Sequence, residues 1–352
     1  MSVMEGPFLD RESLVGLARD AVHRKAWMAD VTESATGRAY AREFLGAHQD
    51  TAPDAPRAPV EVGERAVDAV HRMTSAPWRY GELFVLAPAM TAVVAAAAAA
   101  LDLTGETLAS DIAPTDHGVL LLPEPVYYRR PDGRVVGVAA LTWAKYSASS
   151  DAAWLVAAWS DRTDPDDPTA AVVRATLAAA PGAAGRFGPY LLADFDSLPI
   201  GTPVDAKPDL PVVDSAEVVW QSTPEGRYLI NAAAARSTVC MAIAYAFWVI
   251  QAQPLLATAA RAPLDRAARR KAARASIVHD TRVVMLRRRS PAADAAGGEP
   301  HWHYRVRFVV RGHWRRLIDR DGNPYRIWVH AHLKGPPDAP LLGGEKVAIL
   351  AR

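Results

Sequence analysis

The chain has 352 residues, half of them hydrophobic, with 40 Lys and Arg set against 39 Asp and Glu. That size and composition exclude a disordered chain and leave room for one large domain or two ordinary ones. A single cysteine, Cys240, excludes an intrachain disulfide, and the start, MSVMEGPFLDRESL, lacks the basic-then-apolar order of a secretory signal, so the expected setting is cytoplasmic.

Residues 1–50 read as helices, with Leu14, Leu17, Ala18, Ala21 and Val22 at helical spacing, and the Pro-rich loop QDTAPDAPRAP follows. Residues 61–74 place Val62, Ala66, Val67 and Val70 on one face of a further amphipathic helix. Leu83 to Leu101 is uncharged but alanine-rich and is interrupted by Pro88, which predicts a buried helix rather than a membrane span. From His117 the period becomes that of strands: GVLLLPEPVYY, a Pro-Asp-Gly turn, VVGVAALTWAKY and AAWLVAAWS form an expected antiparallel meander. The acidic DRTDPDDP reads as a solvent loop, TAAVVRATLAAA as a helix and LPIGTPVDAKPDLP as a connection. Residues 225–260 read mostly as helix. No charge occurs from Ser237 to Ala260, yet Gln251, Gln253 and Pro254 cut the apolar part to about thirteen residues, the length of a core helix rather than a span.

Beyond Arg261 the chain changes character. Residues 261–352 hold 20 Lys and Arg against 8 Asp and Glu (+12), whereas the preceding 260 hold 20 against 31 (−11). Segregated charge of this kind suits a polyanion partner, or docking of the basic part on the acidic body or on an acidic protein. PLDRAARRKAARAS reads as a helix with Pro263 near its start and Arg266, Arg269, Arg270, Lys271 and Arg274 on a broad cationic surface, leaving Ala and Leu for the core. TRVVMLRRR reads as a strand and SPAADAAGGEP as a connector.

HWHYRVRFVVRGHWR, residues 301–315, then alternates. His301, His303, Arg305, Arg307, Arg311, His313 and Arg315 occupy one side of the expected strand, and Trp302, Tyr304, Val306, Phe308 and Trp314 the other. DRDGNP turns the chain, and YRIWVHAHLK returns with Arg326, Trp328, His330, His332 and Lys334 on one side. If the registers agree, the two strands form one cationic sheet face. Arginine favours bidentate phosphate contacts, and Trp328 on that face would supply a stacking platform. The residues expected to bind nucleic acid are therefore Arg305, Arg307, Arg311, His313, Arg315, Arg326, Trp328 and Lys334. No helix-turn-helix, RNP or zinc-finger signature accompanies them.

Catalytic signals are sparse. His313, between two arginines, is a candidate acid or base for phosphodiester chemistry, and Asp116 and His117, with Glu124, bracket the first strand of the meander. Asp194 and Asp196 would share a face of a strand. The pairs His301/His303 and His330/His332 read as titratable members of a basic face rather than metal ligands, because neighbouring arginines disfavour a divalent cation. No Walker loop, nucleophile elbow or dinucleotide fingerprint is present, and no cofactor is expected.

The elements DRAARRKAARA, VVMLRR, VRGHWR, IWV and KGPPDAPLLGGEKV, with IAPTDHGVLLLPEPV and ALTW upstream, resemble a family of uncharacterised proteins of actinobacteria and their bacteriophages. The resemblance implies that setting and carries no mechanism. Taken together the sequence predicts an α+β protein with an N-terminal helical region (1–75), a mixed helix and β-meander body (76–260) and a basic C-terminal module of helix and antiparallel sheet (261–352). Nucleic-acid binding is the leading expectation. The alternatives are a hydrolase acting on nucleic acid (a nuclease or base-excising glycosylase) and a structural or interaction component that self-associates or takes an acidic partner.

Overall fold

The computed structural model describes residues 11–50, 60–129, 135–147, 152–165, 168–179, 187–204, 221–222, 228–231, 239–254, 256–286, 308–310, 312–330 and 332–334. The fold is α+β, as the sequence predicts, and it is organised by a mixed nine-stranded sheet. Its strands are β1 (Glu82–Leu86), β2 (His117–Arg129), β3 (Val135–Ser147), β4 (Ala152–Asp161), β5 (Tyr190–Pro199), β6 (Gln221–Ser222), β7 (Tyr228–Asn231), β8 (Ala257–Arg261) and β9 (Thr281–Leu286). The order β5-β4-β3-β2-β1-β9-β8 contains the expected meander as β2 to β4, and β5 extends it by one further antiparallel strand. At the centre β1 pairs parallel with both β2 and β9.

Pro123 and Pro125, which lack amide donors, fall in β2 where its ladder to β3 shifts between Leu121 and Val126. The opposite edge of β2 changes partner across the same break. Its first half pairs β1 and its second half pairs β7.

Alternation along the strands builds two cores. On one face Phe84, Leu86, Leu120 and Leu122 pack with α4 (Pro88–Ala99) and α6 (Val239–Gln251). On the other, Leu83, Val85, Val119 and Leu121 pack with α1 (Arg11–Thr32), α3 (Val60–Tyr80) and α7 (Arg266–Arg274). α2 (Ala35–Asp50) lies on α3, and α5 (Pro168–Ala179) on β5. Thirteen residues long and buried through Ile250, α6 is the core helix that its length predicted, and Cys240 lies inside it. Phe84, Trp143, Trp154, Phe247 and Trp248 interlock there through tilted and edge-on ring contacts. Gly118 admits Trp143 closely, since a Cβ at that position would lie 2.0 Å from the ring. Among the described residues no helix is long and apolar enough to cross a membrane.

Three expectations are corrected. Leu83 to Leu101 is a strand and a helix, not one helix: Pro88 sits in the first turn of α4, where a missing N–H costs nothing. Residues 225–260 likewise include β7 and part of β8 around α6. The expected boundary at residue 261 falls at the last residue of β8, and β9, which lies beyond it, is inserted between β1 and β8 in the central sheet.

Candidate nucleic-acid interface

Two cation-rich elements are attached to opposite faces of the sheet. The first, α7, begins at Asp265, whose side chain accepts the Ala268 N–H at 2.7 Å. Pro263 lies outside the helix. Ala268 and Ala272, one turn apart, are fully buried, and their small side chains bring the helix against α1. The cations cannot follow them inward. Arg266, Arg269, Arg270, Lys271 and Arg274 are all exposed, and none makes an ion pair among the described residues. The helix ends in a Schellman arrangement: Ser276 adopts a positive φ of 50°, its N–H donates to the Ala273 carbonyl at 3.2 Å, and that of the buried Ile277 donates to Ala272 at 3.1 Å.

Acids near this end of the sheet are already matched. Glu33 and Asp30 pair with Arg79, Asp280 with Arg261 at 3.5 Å, and Glu82 with Arg282 at 2.9 Å. The surplus charge of α7 is therefore left to solvent. Beneath it Lys25, fully buried on α1, donates to the carbonyls of Gly81 and Val278, the latter at 2.6 Å. Burial pushes this ammonium down to about 7, against the opposing pull of Glu82.

The second element is the hairpin expected at 301–334. β10 (Phe308–Val310) pairs with β13 (His332–Lys334), and β11 (His313–Ile318) with β12 (Pro324–Val329). The two ladders keep one register, since Val310 faces His332 and, three residues along each strand, His313 faces Val329. Asp319 closes the turn by accepting the N–H groups of Asp321 and Asn323, and these bonds hold its carboxyl below the usual range. Gly322 supplies the positive φ of 88° that the turn requires.

This register overturns the single cationic face. His313 is opposite Val329 and Arg315 opposite Ile327, whereas Arg326 is opposite Arg316 and Trp328 opposite Trp314. Arg315 and Arg326 therefore lie on different sides of the ribbon. His313 and Arg315 are exposed. Trp328 is 4% exposed and packs edge-on against Trp314, with ring centres 5.3 Å apart, so it is a core residue rather than a stacking platform. Trp314 in turn donates to the Ala97 carbonyl at 2.9 Å and meets Tyr245 of α6 edge-on.

Arg326, its side chain 8% exposed, donates to the Asp102 carbonyl at 3.0 Å and pairs with Glu106, which Arg316 also reaches. A cavity of about 250 Å³ between this face and the end of α4 is lined by Asp102, Thr104, Trp314, Arg316 and Arg326. Both of its cations pair with Glu106, and Asp102 adds a second carboxylate to the lining, so it offers no surplus field for an anion. Arg305, Arg307, Arg311, His301 and His303 lie outside the described residues. Lys334 ends β13, and only its backbone placement is described.

The acid and base candidates are dispersed. Asp116 is exposed and 3.6 Å from Lys145, while half-burial lowers the neighbouring His117 imidazole. Thr115 donates to the His117 carbonyl and accepts from Trp143 through its own, so this corner anchors β2 and β3. Glu124 is exposed at the break in β2. Asp194 accepts the Tyr128 hydroxyl at 3.0 Å, and Asp196 the N–H of Ser197 at 2.8 Å. None of these is brought to His313. Among the described residues no group of three or more His, Cys, Asp or Glu is arranged to hold a metal ion.

No family model, curated protein or solved structure matches this chain. Of the two cation-rich elements, α7 is the one whose described cations all face solvent, although sequence alone does not rank it above the strands. The signal was present: RAARRKAAR has five cations and no acid, and its only i, i+4 pair of buried positions is alanine.

Proposed function

We propose that the protein binds nucleic acid, with the solvent-facing cations of α7 as the principal contact. One observation carries this reading: five cations on one nine-residue helix, all exposed and without an ion pair among the described residues, beside acids that other cations already satisfy. Such an array repels itself until an external anion compensates it, and a phosphate backbone does so by releasing its condensed counterions. Arg315 and His313 on the hairpin are a separate, weaker patch on the other side of the sheet. The resemblance of the C-terminal segments to proteins of actinobacteria and their bacteriophages would place the binding in phage or mobile-element biology.

The test is fluorescence anisotropy with end-labelled DNA or RNA across a salt series. Five neutralised phosphates give a slope of log K on log salt of about −4.5 for duplex and about −3.5 for a single strand. Reversing Arg269, Arg270 and Lys271 to Glu abolishes binding. Unchanged affinity and slope in that variant sinks the reading. Shortened label in the same assay would favour the hydrolase alternative. The interaction alternative is favoured by the hairpin tip, where Ile318 is 72% and Tyr325 45% exposed, and self-association without nucleic-acid affinity would support it.

A further inference from the structure

We infer that the nucleic acid taken by α7 is single-stranded and that Tyr80 is the platform on which one of its bases stacks; this rests on the α7 reading above. Tyr80 is the last residue of α3 and is 66% exposed, with no hydrogen bond or ring contact among the described residues. Its place relative to α7 is set by its neighbour. The Arg79 guanidinium donates to the carbonyl of Ala275, the residue that caps α7, and the Arg79 carbonyl accepts the Val278 N–H at 3.1 Å. Val278, 39% exposed, is the second apolar side chain left open at this corner.

The corner is held rigid. Lys25 binds the carbonyls of Gly81 and Val278, which flank the junction, and Arg79 is clamped by Glu33 through its Nε at 2.9 Å. An aromatic ring on a fixed backbone, at the end of a cationic strip about 13 Å long, reproduces the two parts of a single-strand site: charge that tracks the backbone and a π-face for a base. A duplex keeps its base faces covered by stacking and pairing, so it can use the cations but not the ring. The glutamates and aspartates at this end do not oppose a strand, because Arg79, Arg261 and Arg282 already engage them.

The experiment compares labelled oligo-dT with a duplex hairpin of equal charge, using wild type, Tyr80→Ala, Tyr80→Phe and the α7 triple reversal. Loss of one stacked base weakens oligo-dT binding by on the order of tenfold in Tyr80→Ala and leaves the duplex unchanged. Tyr80→Phe keeps wild-type affinity, because the ring and not the hydroxyl is used. Tyr80→Trp adds a direct readout, since its fluorescence is quenched when oligo-dT binds. If Tyr80→Ala binds oligo-dT like the wild type, or weakens both ligands equally, the inference is overturned. It falls alone if the triple reversal still abolishes binding, and together with the α7 reading if the reversal changes nothing.

Discussion

The helix α7 and the β11–β12 hairpin carry similar cation-rich sequences and use them in opposite ways. In α7 the inward positions are alanine and every cation is outside, so local sequence alone decides which face meets solvent. In the hairpin the inward face contains Trp314, Trp328 and Arg326, and Arg326 is held by Glu106 of the acidic body. A helix sorts its side chains by its own period. A strand's two faces are equivalent until a partner and a core choose between them, so its charges are not a surface merely because they alternate.

The largest test of that contrast is Trp328→Ala. Removing this buried ring should cost about 3–5 kcal/mol of unfolding free energy in urea, and nucleic-acid affinity through α7 should stay unchanged. Trp328→Phe should be far milder, since the indole N–H has no partner. A loss below about 1 kcal/mol for alanine would mean that the hairpin is not docked.

Next comes Glu106→Gln, which leaves the buried Arg326 without its anion and should cost about 3 kcal/mol. Arg316→Ala should cost under about 1 kcal/mol, because that side chain is 71% exposed and its ion pair is screened. Equal effects from the two variants would erase the distinction between docked and free charge within the hairpin.

Lys25 gives a pH test of the α7 side. Below about pH 7 the folded and unfolded chains both hold its proton, and the penalty for burying the charge is fully present. As pH rises beyond 7 the folded lysine loses its proton while the unfolded one keeps it up to the ordinary lysine value of 10.5, so stability should rise. The slope should approach about 1.4 kcal/mol per pH unit between pH 7 and 9 and vanish in Lys25→Met. A wild type with flat stability across that window would contradict the assignment.

Two smaller effects sharpen the picture of α7. Ser276→Gly relieves a left-handed backbone at the helix end and should add about 1 kcal/mol. Neutralising Arg269, Arg270 and Lys271 to Gln should change stability by less than about 0.5 kcal/mol. A larger destabilisation would mean that these cations have partners in the fold.

Much of the fold was legible because its signals are local. The meander, α5, α6 and α7 follow from period, length and turn residues, each read within a dozen positions. The division of Leu83–Leu101 was missed because an apolar run has no period of its own, and only Pro88 marked where strand becomes helix. The hairpin faces were misassigned for a reason of parity. Five residues, Asp319 to Asn323, separate Ile318 from Pro324, so cross-strand partners are both odd or both even, and the odd cations of β11 meet the odd aliphatics of β12. DRDGNP marks a turn but not its exact length, and the length sets the parity. Lys25 and Tyr80 carry no signal in the sequence, because single residues become notable only through what surrounds them.

The insertion of β9 between β1 and β8 also sets a schedule. Leu83 of β1 aligns with Thr281 of β9, so the central strand, made early, must wait for about 200 further residues before its second edge is covered. At a synthesis rate of about 5–20 residues per second, that interval is roughly 10–40 s. Throughout it the strand Glu-Leu-Phe-Val-Leu presents an open, apolar edge to whatever is nearby. Newly made chains should therefore engage chaperones over this interval, and nascent chains halted before residue 281 should be released as aggregating rather than partly folded species.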